Sequence, residues 1–192
     1  MKKLLVLLLL VPSLSWGADS EKGLTAYNQG DYATAIKEWT PLAEQGNLIA
    51  QFNLGLMNDN GLGVVQNYKT AVKWYTLAAL QEFAPAQNNL GLKYGNGEGV
   101  LQNYKTAVKW YTLASEQGHA KAQNNLGFMY GNGEGVLQDY IYAHMWWNIA
   151  ASSGVSEAAE NRTIAEKNMT TADISKAQEL ARQCVNKNYK DC

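Results

Sequence analysis

Hydroxyl and amine side chains recur one helical turn apart at Thr34/Lys37, Thr70/Lys73 and Thr106/Lys109. At that spacing a lysine can deprotonate a hydroxyl nucleophile. No Ser-Asp-Asn or Lys-Thr-Gly sequence follows to complete an acyl-transfer site, and three copies on one polar stripe are equally the product of duplicating a solvated face. His119 and His144 stand 25 residues apart, with no His-Glu-x-x-His pattern, so a metal site is not expected. The run Gly95-Asn96-Gly97-Glu98-Gly99 has neither the G-x-G-x-x-G spacing nor the terminal Gly-Lys-Ser/Thr of a phosphate cradle, and it connects two helical patterns. Cys184 and Cys192 lack the Cys-x-x-Cys spacing of a redox pair. No catalytic residue and no cofactor are therefore expected.

The chain that must position these groups has 192 residues and opens Met1-Lys2-Lys3, followed by the apolar stretch Leu4 to Val11 and by Ser15-Trp16-Gly17. A basic head, an apolar run too short to span a bilayer and a small-x-small site read as a secretory signal peptide over residues 1–17. Its removal leaves 175 residues and no further membrane insertion, and takes two lysines with it, so 14 basic residues face 17 acidic ones. That balance carries no basic field for nucleic acid. Export implies a periplasmic or secreted protein in an oxidising compartment, where Cys184 and Cys192 are expected to pair. So short a loop contributes about 2.5 kcal/mol at most. At 46% hydrophobic and 17% charged, the chain is neither disordered nor collagen-like.

A period of 36 residues organises everything after the leader. Leu54-Gly55 returns as Leu90-Gly91 and Leu126-Gly127, and Val64, Tyr68 and Trp74 each recur twice at the same interval. The segment QNYKTAVKWYTLA at 66–78 is repeated without change at 102–114. Within each unit the apolar spacing is helical twice. Ala71, Trp74, Tyr75 and Ala78 form one face of a second helix, and Lys69, Thr70 and Lys73 the other. Asn67, Asn103 and Asp139 precede that helix as N-caps. Ala86, Leu90 and Tyr94 mark a shorter first helix, in which Gly91 leaves room for another backbone. Trp74, Trp110 and Trp146, together with Trp147 at the Tyr75/Tyr111 position, read as core, and His144 as a packing or surface replacement for Val72 and Val108. Helix pairs that cannot cover their own apolar faces must stack.

Ala86-Gln87, Leu90-Gly91, Tyr94, Gly97-x-Gly99-Val100, Tyr104, Ala107, Trp110-Tyr111, Ala114 and Gly118 together resemble the Sel1-like repeat, a relative of the tetratricopeptide repeat. Three units carry the pattern, at about 48–82, 84–118 and 120–154. Residues 18–47 read as an N-terminal tetratricopeptide-like capping helix pair, and 155–192 as C-terminal capping helices holding the disulfide. There Thr170 and Asp173 form a capping box, and Ile174, Ala177, Ala181 and Cys184 an inner stripe. The resemblance implies an all-α fold, a right-handed α-solenoid of stacked antiparallel helix pairs. Departures occur at Phe83, Pro85 and Asn58, the last standing where Tyr94 and Tyr130 occur, so the first unit is expected to pack differently.

Function follows from the groove such an array presents. First helices line a concave face on which an extended partner can lie. The positions there not required for the core are Gln51, Phe52 and Leu56, then Gln87, Asn88 and Leu92, then Gln123, Asn124 and Phe128. Amides beside an apolar residue suit a peptide or protein partner, although Leu56, Leu92 and Phe128 equally suit packing between units. The expectation is an exported, non-enzymatic interaction scaffold or adaptor, in cell-envelope assembly, regulation or host interaction, of undefined oligomeric state. The alternative is β-lactam binding or hydrolysis, which the resemblance implies through cysteine-rich relatives and which would fall to the Thr-x-x-Lys pairs; the cysteine pairs of that branch are absent here.

Overall fold

The computed structural model describes residues 16–192, with side chains from Ser20 onward; the expected leader, as far as residue 15, lies outside the described residues. Among the described residues there are ten helices and no strand: α1 (Trp16–Asn28), α2 (Tyr32–Glu44), α3 (Leu48–Asn60), α4 (Tyr68–Ala79), α5 (Ala84–Asn96), α6 (Tyr104–Ser115), α7 (Ala120–Asn132), α8 (Tyr140–Ser152), α9 (Ser156–Glu166) and α10 (Thr171–Asn186). The fold is an all-α solenoid in which α3/α4, α5/α6 and α7/α8 are the repeated pairs and each of these helices also packs on the next along the chain.

Local chemistry starts each helix. The side chains of Asn67 and Asn103 accept the amide hydrogens of Thr70 and Thr106 at 3.0 Å, and Asp139 accepts those of Ile141 and Tyr142. Phe83, which has no acceptor, leaves α5 without a side-chain cap, and proline opens the helix instead. The capping box of Thr170 and Asp173 is complete. First helices end on Gly61, Gly97 and Gly133, all left-handed, a conformation that other L-residues adopt only with strain.

Close approach occurs at two kinds of glycine, and not as the sequence suggests. A Cβ on Gly91 would meet the ring of Tyr111 at 2.6 Å, and one on Gly55 or Gly127 would strike Tyr75 or Trp147. The first-helix glycine thus seats an aromatic ring of its own repeat, not a neighbouring backbone. Backbone approach falls instead at Gly99 and Gly135, where a Cβ would collide with the carbonyl groups of Tyr68 and Tyr104 in the preceding repeat. Each of these glycine-rich turns therefore docks on the start of the previous second helix.

The aromatic core is correspondingly shifted by one position. Tyr75, Tyr111 and Trp147 are buried in their repeats, whereas Trp74 and Trp110 are half-buried and pack back against the preceding cluster. Trp146 alone of its register is fully buried. The cause is α10, which turns back onto α8 instead of pairing with α9, and covers Trp146 with Ala181 and Cys184. The Cys184–Cys192 disulfide, with Cα atoms 5.4 Å apart, holds the tail so that Tyr189 lies against Gly118 at the turn after α6. No described helix is long and apolar enough to cross a membrane.

Candidate functional site

Five of the nine residues expected on the open face are buried in the seams between repeats. Gln51 donates to the carbonyl of Ala43 at 3.0 Å and accepts from Gln81 at 2.8 Å; Gln87 repeats this with Ala79 at 3.2 Å and Gln117 at 2.7 Å. Gln123 donates to Ser115 at 3.3 Å. Its carbonyl oxygen has no partner among the described residues, because Ser153 stands where Gln81 and Gln117 supply a donor. Asn88 accepts from Asn125 at 3.0 Å, and Asn124 accepts from Asn161 at 3.4 Å. These amides tie one repeat to the next. A buried polar group must be hydrogen-bonded, which is why the chain spends them inside. Phe52 packs edge-on against Phe83, with centroids 5.2 Å apart, and Leu56 joins the same cluster.

That leaves Leu92 and Phe128, 36% and 48% exposed. They line a common cavity of about 480 Å³ between α5 and α7, together with Gly95, Tyr104, Tyr111, Asn125, Met129 and Glu134. A second hollow of about 410 Å³ shares Leu92 and Asn125 and continues towards Lys121 and Glu157. A groove therefore follows the seam between the second and third repeats.

The same position is closed in the seam between the first and second repeats. There Asp59 accepts from the Tyr75 hydroxyl at 3.1 Å and from Lys93, whose ammonium also donates to Glu98 at 2.6 Å and lies 4.7 Å from the centre of the Tyr68 ring. Burial pushes the Lys93 pKa down, but the two carboxylates outweigh it and leave the pKa above its ordinary value. Adding 36 to each number converts Asp59, Lys93, Glu98, Tyr68 and Tyr75 into Gly95, Met129, Glu134, Tyr104 and Tyr111, all of which line the open cavity. Within the third repeat the larger indole of Trp147 reaches to 2.8 Å from where a Gly131 Cβ would lie. At Gly95 the nearest atoms to such a Cβ, in Ala107 and Tyr111, are at 3.8 Å. Burial and the charge of Glu134 push the Tyr111 hydroxyl well above its usual pKa, so it stays protonated.

Sequence reasoning reached Leu92 and Phe128 but passed over Gly95, Met129, Tyr111 and Glu134. For Gly95 and Met129 the signal was present as disagreement with Asp59 and Lys93 in the preceding copy, whereas Tyr111 and Glu134 repeat Tyr75 and Glu98 and carried none. The other residues with chemical potential do not assemble a site. Lys73 and Lys109 are exposed on the solvent side, and the backbone amides of Thr70 and Thr106 donate to the capping side chains of Asn67 and Asn103. His119 caps α7, accepting from Ala122 at 3.2 Å, and His144 is fully buried with its Nε2 3.0 Å from Glu166. Among the described residues no group of three or more His, Cys, Asp or Glu gathers as for a metal ion.

Residues 48–83, 84–119 and 120–155 match the Sel1 repeat. The chain belongs to the Sel1 repeat family. Members of this family are generally protein-interaction scaffolds and typically not enzymes. None of the curated proteins compared with the chain matches it. Among solved structures, it is similar to a Sel1 repeat protein from Oxalobacter formigenes at 38% identity and a TM-score of 0.71, covering 76% of this chain and 58% of that one. A protective antigen of uropathogenic Escherichia coli strains with an SLR fold is 27% identical at a TM-score of 0.62, over 89% of this chain and 46% of the antigen. The chain thus spans about half the length of these two. Helicobacter pylori cysteine rich protein B, 19% identical at a TM-score of 0.50 over 75% of this chain and 97% of that one, shares the fold.

Proposed function

We propose that this Sel1 repeat protein is an exported, non-enzymatic adaptor that holds a peptide or protein segment along the concave face, in the groove between α5 and α7. The observation that carries this reading is the pair of exposed apolar side chains, Leu92 and Phe128, over the cavity left open in the seam between the second and third repeats. An exposed Phe beside a cavity is a surface that gains by being covered. The groove's amides and the Tyr111 hydroxyl supply orientation, and its length past Asn125 suits an extended segment. The chemistry of the tail supports export, since a bridged Cys184–Cys192 belongs to an oxidising compartment. The cell envelope, in assembly, regulation or host contact, is the setting proposed for the partner.

The test replaces Leu92 and Phe128 together by serine. Partner recovery after cross-linking in the producing cells is expected to fall to background, while far-UV circular dichroism and the melting temperature stay close to the parent. Unchanged recovery by a folded double variant overturns the groove reading.

A further inference from the structure

The first and second seams are the same construction with and without an internal lysine. In the first, the Lys93 side chain crosses from α5 to the preceding repeat and buries its ammonium among the Asp59 carboxylate, the Glu98 carboxylate and the face of Tyr68. In the second, the carboxylate and the ring are kept as Glu134 and Tyr104, but the lysine is Met129 and the aspartate is Gly95. The unbranched thioether is one heavy atom shorter than a lysine side chain, and glycine contributes nothing beyond its backbone. What remains is the cavity of about 480 Å³, with an acidic group, an aromatic ring and a phenol on its walls. Among the described residues no cation pairs with Glu134, which accepts from the Asn132 amide at 3.5 Å.

We infer that the cavity between α5 and α7 receives a lysine side chain from the partner, its ammonium taking the place in the second seam that the Lys93 ammonium takes in the first. This rests on the groove reading above and names the chemistry of its deepest contact. A half-buried carboxylate beside an aromatic face favours a cation that can shed its water into fixed partners. A single ammonium on an unbranched stem fits the entry past Leu92 and Phe128, which would clasp the methylenes. The compact ammonium is preferred over guanidinium because Glu134 and the Tyr104 ring stand where Glu98 and the Tyr68 ring receive the single nitrogen of Lys93 in the first seam.

The probe is Nα-acetyl-lysine N-methylamide, followed through the backbone amide resonances of the ¹⁵N-labelled protein, with the norleucine and arginine analogues as comparisons. The lysine probe is expected to shift Gly95, Tyr104 and Glu134, and the norleucine analogue to leave them in place. Glu134→Gln should weaken the lysine probe about tenfold, the scale of losing the charge on one side of a hydrogen-bonded pair. Gly95→Asp, whose Cβ has room, should tighten it by recreating the Asp59 position. Gly95→Asp combined with Met129→Lys should abolish binding by installing the internal pair of the first seam, with the fold retained by circular dichroism. Equal shifts from norleucine, tighter binding of the arginine analogue, or no shift at all would each overturn the inference. A silent lysine probe alongside partner recovery that still depends on Leu92 and Phe128 sinks this inference alone and leaves the groove reading standing.

Discussion

Lys93 on α5 donates its ammonium to Asp59 on α3, closing the seam between the first two repeats, while the residues 36 positions on, Met129 and Gly95, leave the next seam open. The same helix-pair arrangement is thus used twice, once with an internal cation and once without. The difference between the closed seam and the open one lies in two side chains.

Breaking that ion pair from one side is expected to cost more than removing it. Asp59→Ala strands Lys93 with one carboxylate and deprives the Tyr75 hydroxyl of its acceptor, with an expected loss of about 2 kcal/mol in urea unfolding, less than for a fully dry pair because Glu98 remains. Adding Lys93→Met, the residue found at positions 57 and 129, to Asp59→Ala removes both charges and should cost no more than Asp59→Ala alone. The reverse order of the two variants would contradict the desolvation argument.

Two glycines of the second repeat, four positions apart, should respond with opposite signs to alanine. Gly91→Ala drives a methyl group into the Tyr111 ring and is expected to destabilise by about 1–3 kcal/mol. Gly95→Ala meets only ordinary contacts and should stabilise by up to about 1 kcal/mol through helix propensity. Thermal unfolding of the two single variants checks the pair.

The glutamine ladder has a missing rung. Ser153→Gln places a donor where Gln81 and Gln117 serve Gln51 and Gln87, and should satisfy the orphaned carbonyl oxygen of Gln123. A gain of about 1 kcal/mol in thermal or urea unfolding is expected, the net value of one hydrogen bond formed at a buried acceptor. No gain would mean that the ladder does not extend past the third repeat.

Acid should loosen the third repeat through His144. Burial holds its pKa below the ordinary 6.5, with Glu166 only partly opposing, so the native imidazole stays neutral where the unfolded one takes up a proton. The stability this supplies is complete above about pH 6.5 and is lost as pH falls through the lower native value. His144→Val, the residue found at positions 72 and 108, should flatten the stability profile between about pH 7 and 5. An unchanged slope would assign the acid response elsewhere, His119 being the other histidine with a lowered pKa.

The repeat period, helix pairing and N-caps were legible in the sequence because they depend on local spacing. Asn67, Asn103 and Asp139 cap the helices expected of them, and Ala177, Ala181 and Cys184 form the buried stripe of α10. Harder to read was what lies across a seam. Gln51, Gln87 and Gln123 look like surface amides in a helical pattern, yet their carbonyl partners come from helix ends that periodicity does not place. Trp74 and Trp110 share a register with Trp146 and lack its burial, because only the last repeat has α10 folded over it. The open seam was the least legible, since it is defined by what Gly95 and Met129 omit.

The groove reading is tested most directly by a photo-crosslinking residue placed at Phe128 in the producing cells, with the same residue at solvent-exposed Lys73 as control. A discrete partner adduct from position 128, absent from position 73 and lost when Gly95→Asp and Met129→Lys are added, is the predicted result. No adduct from position 128, or one that forms equally from position 73, would contradict it.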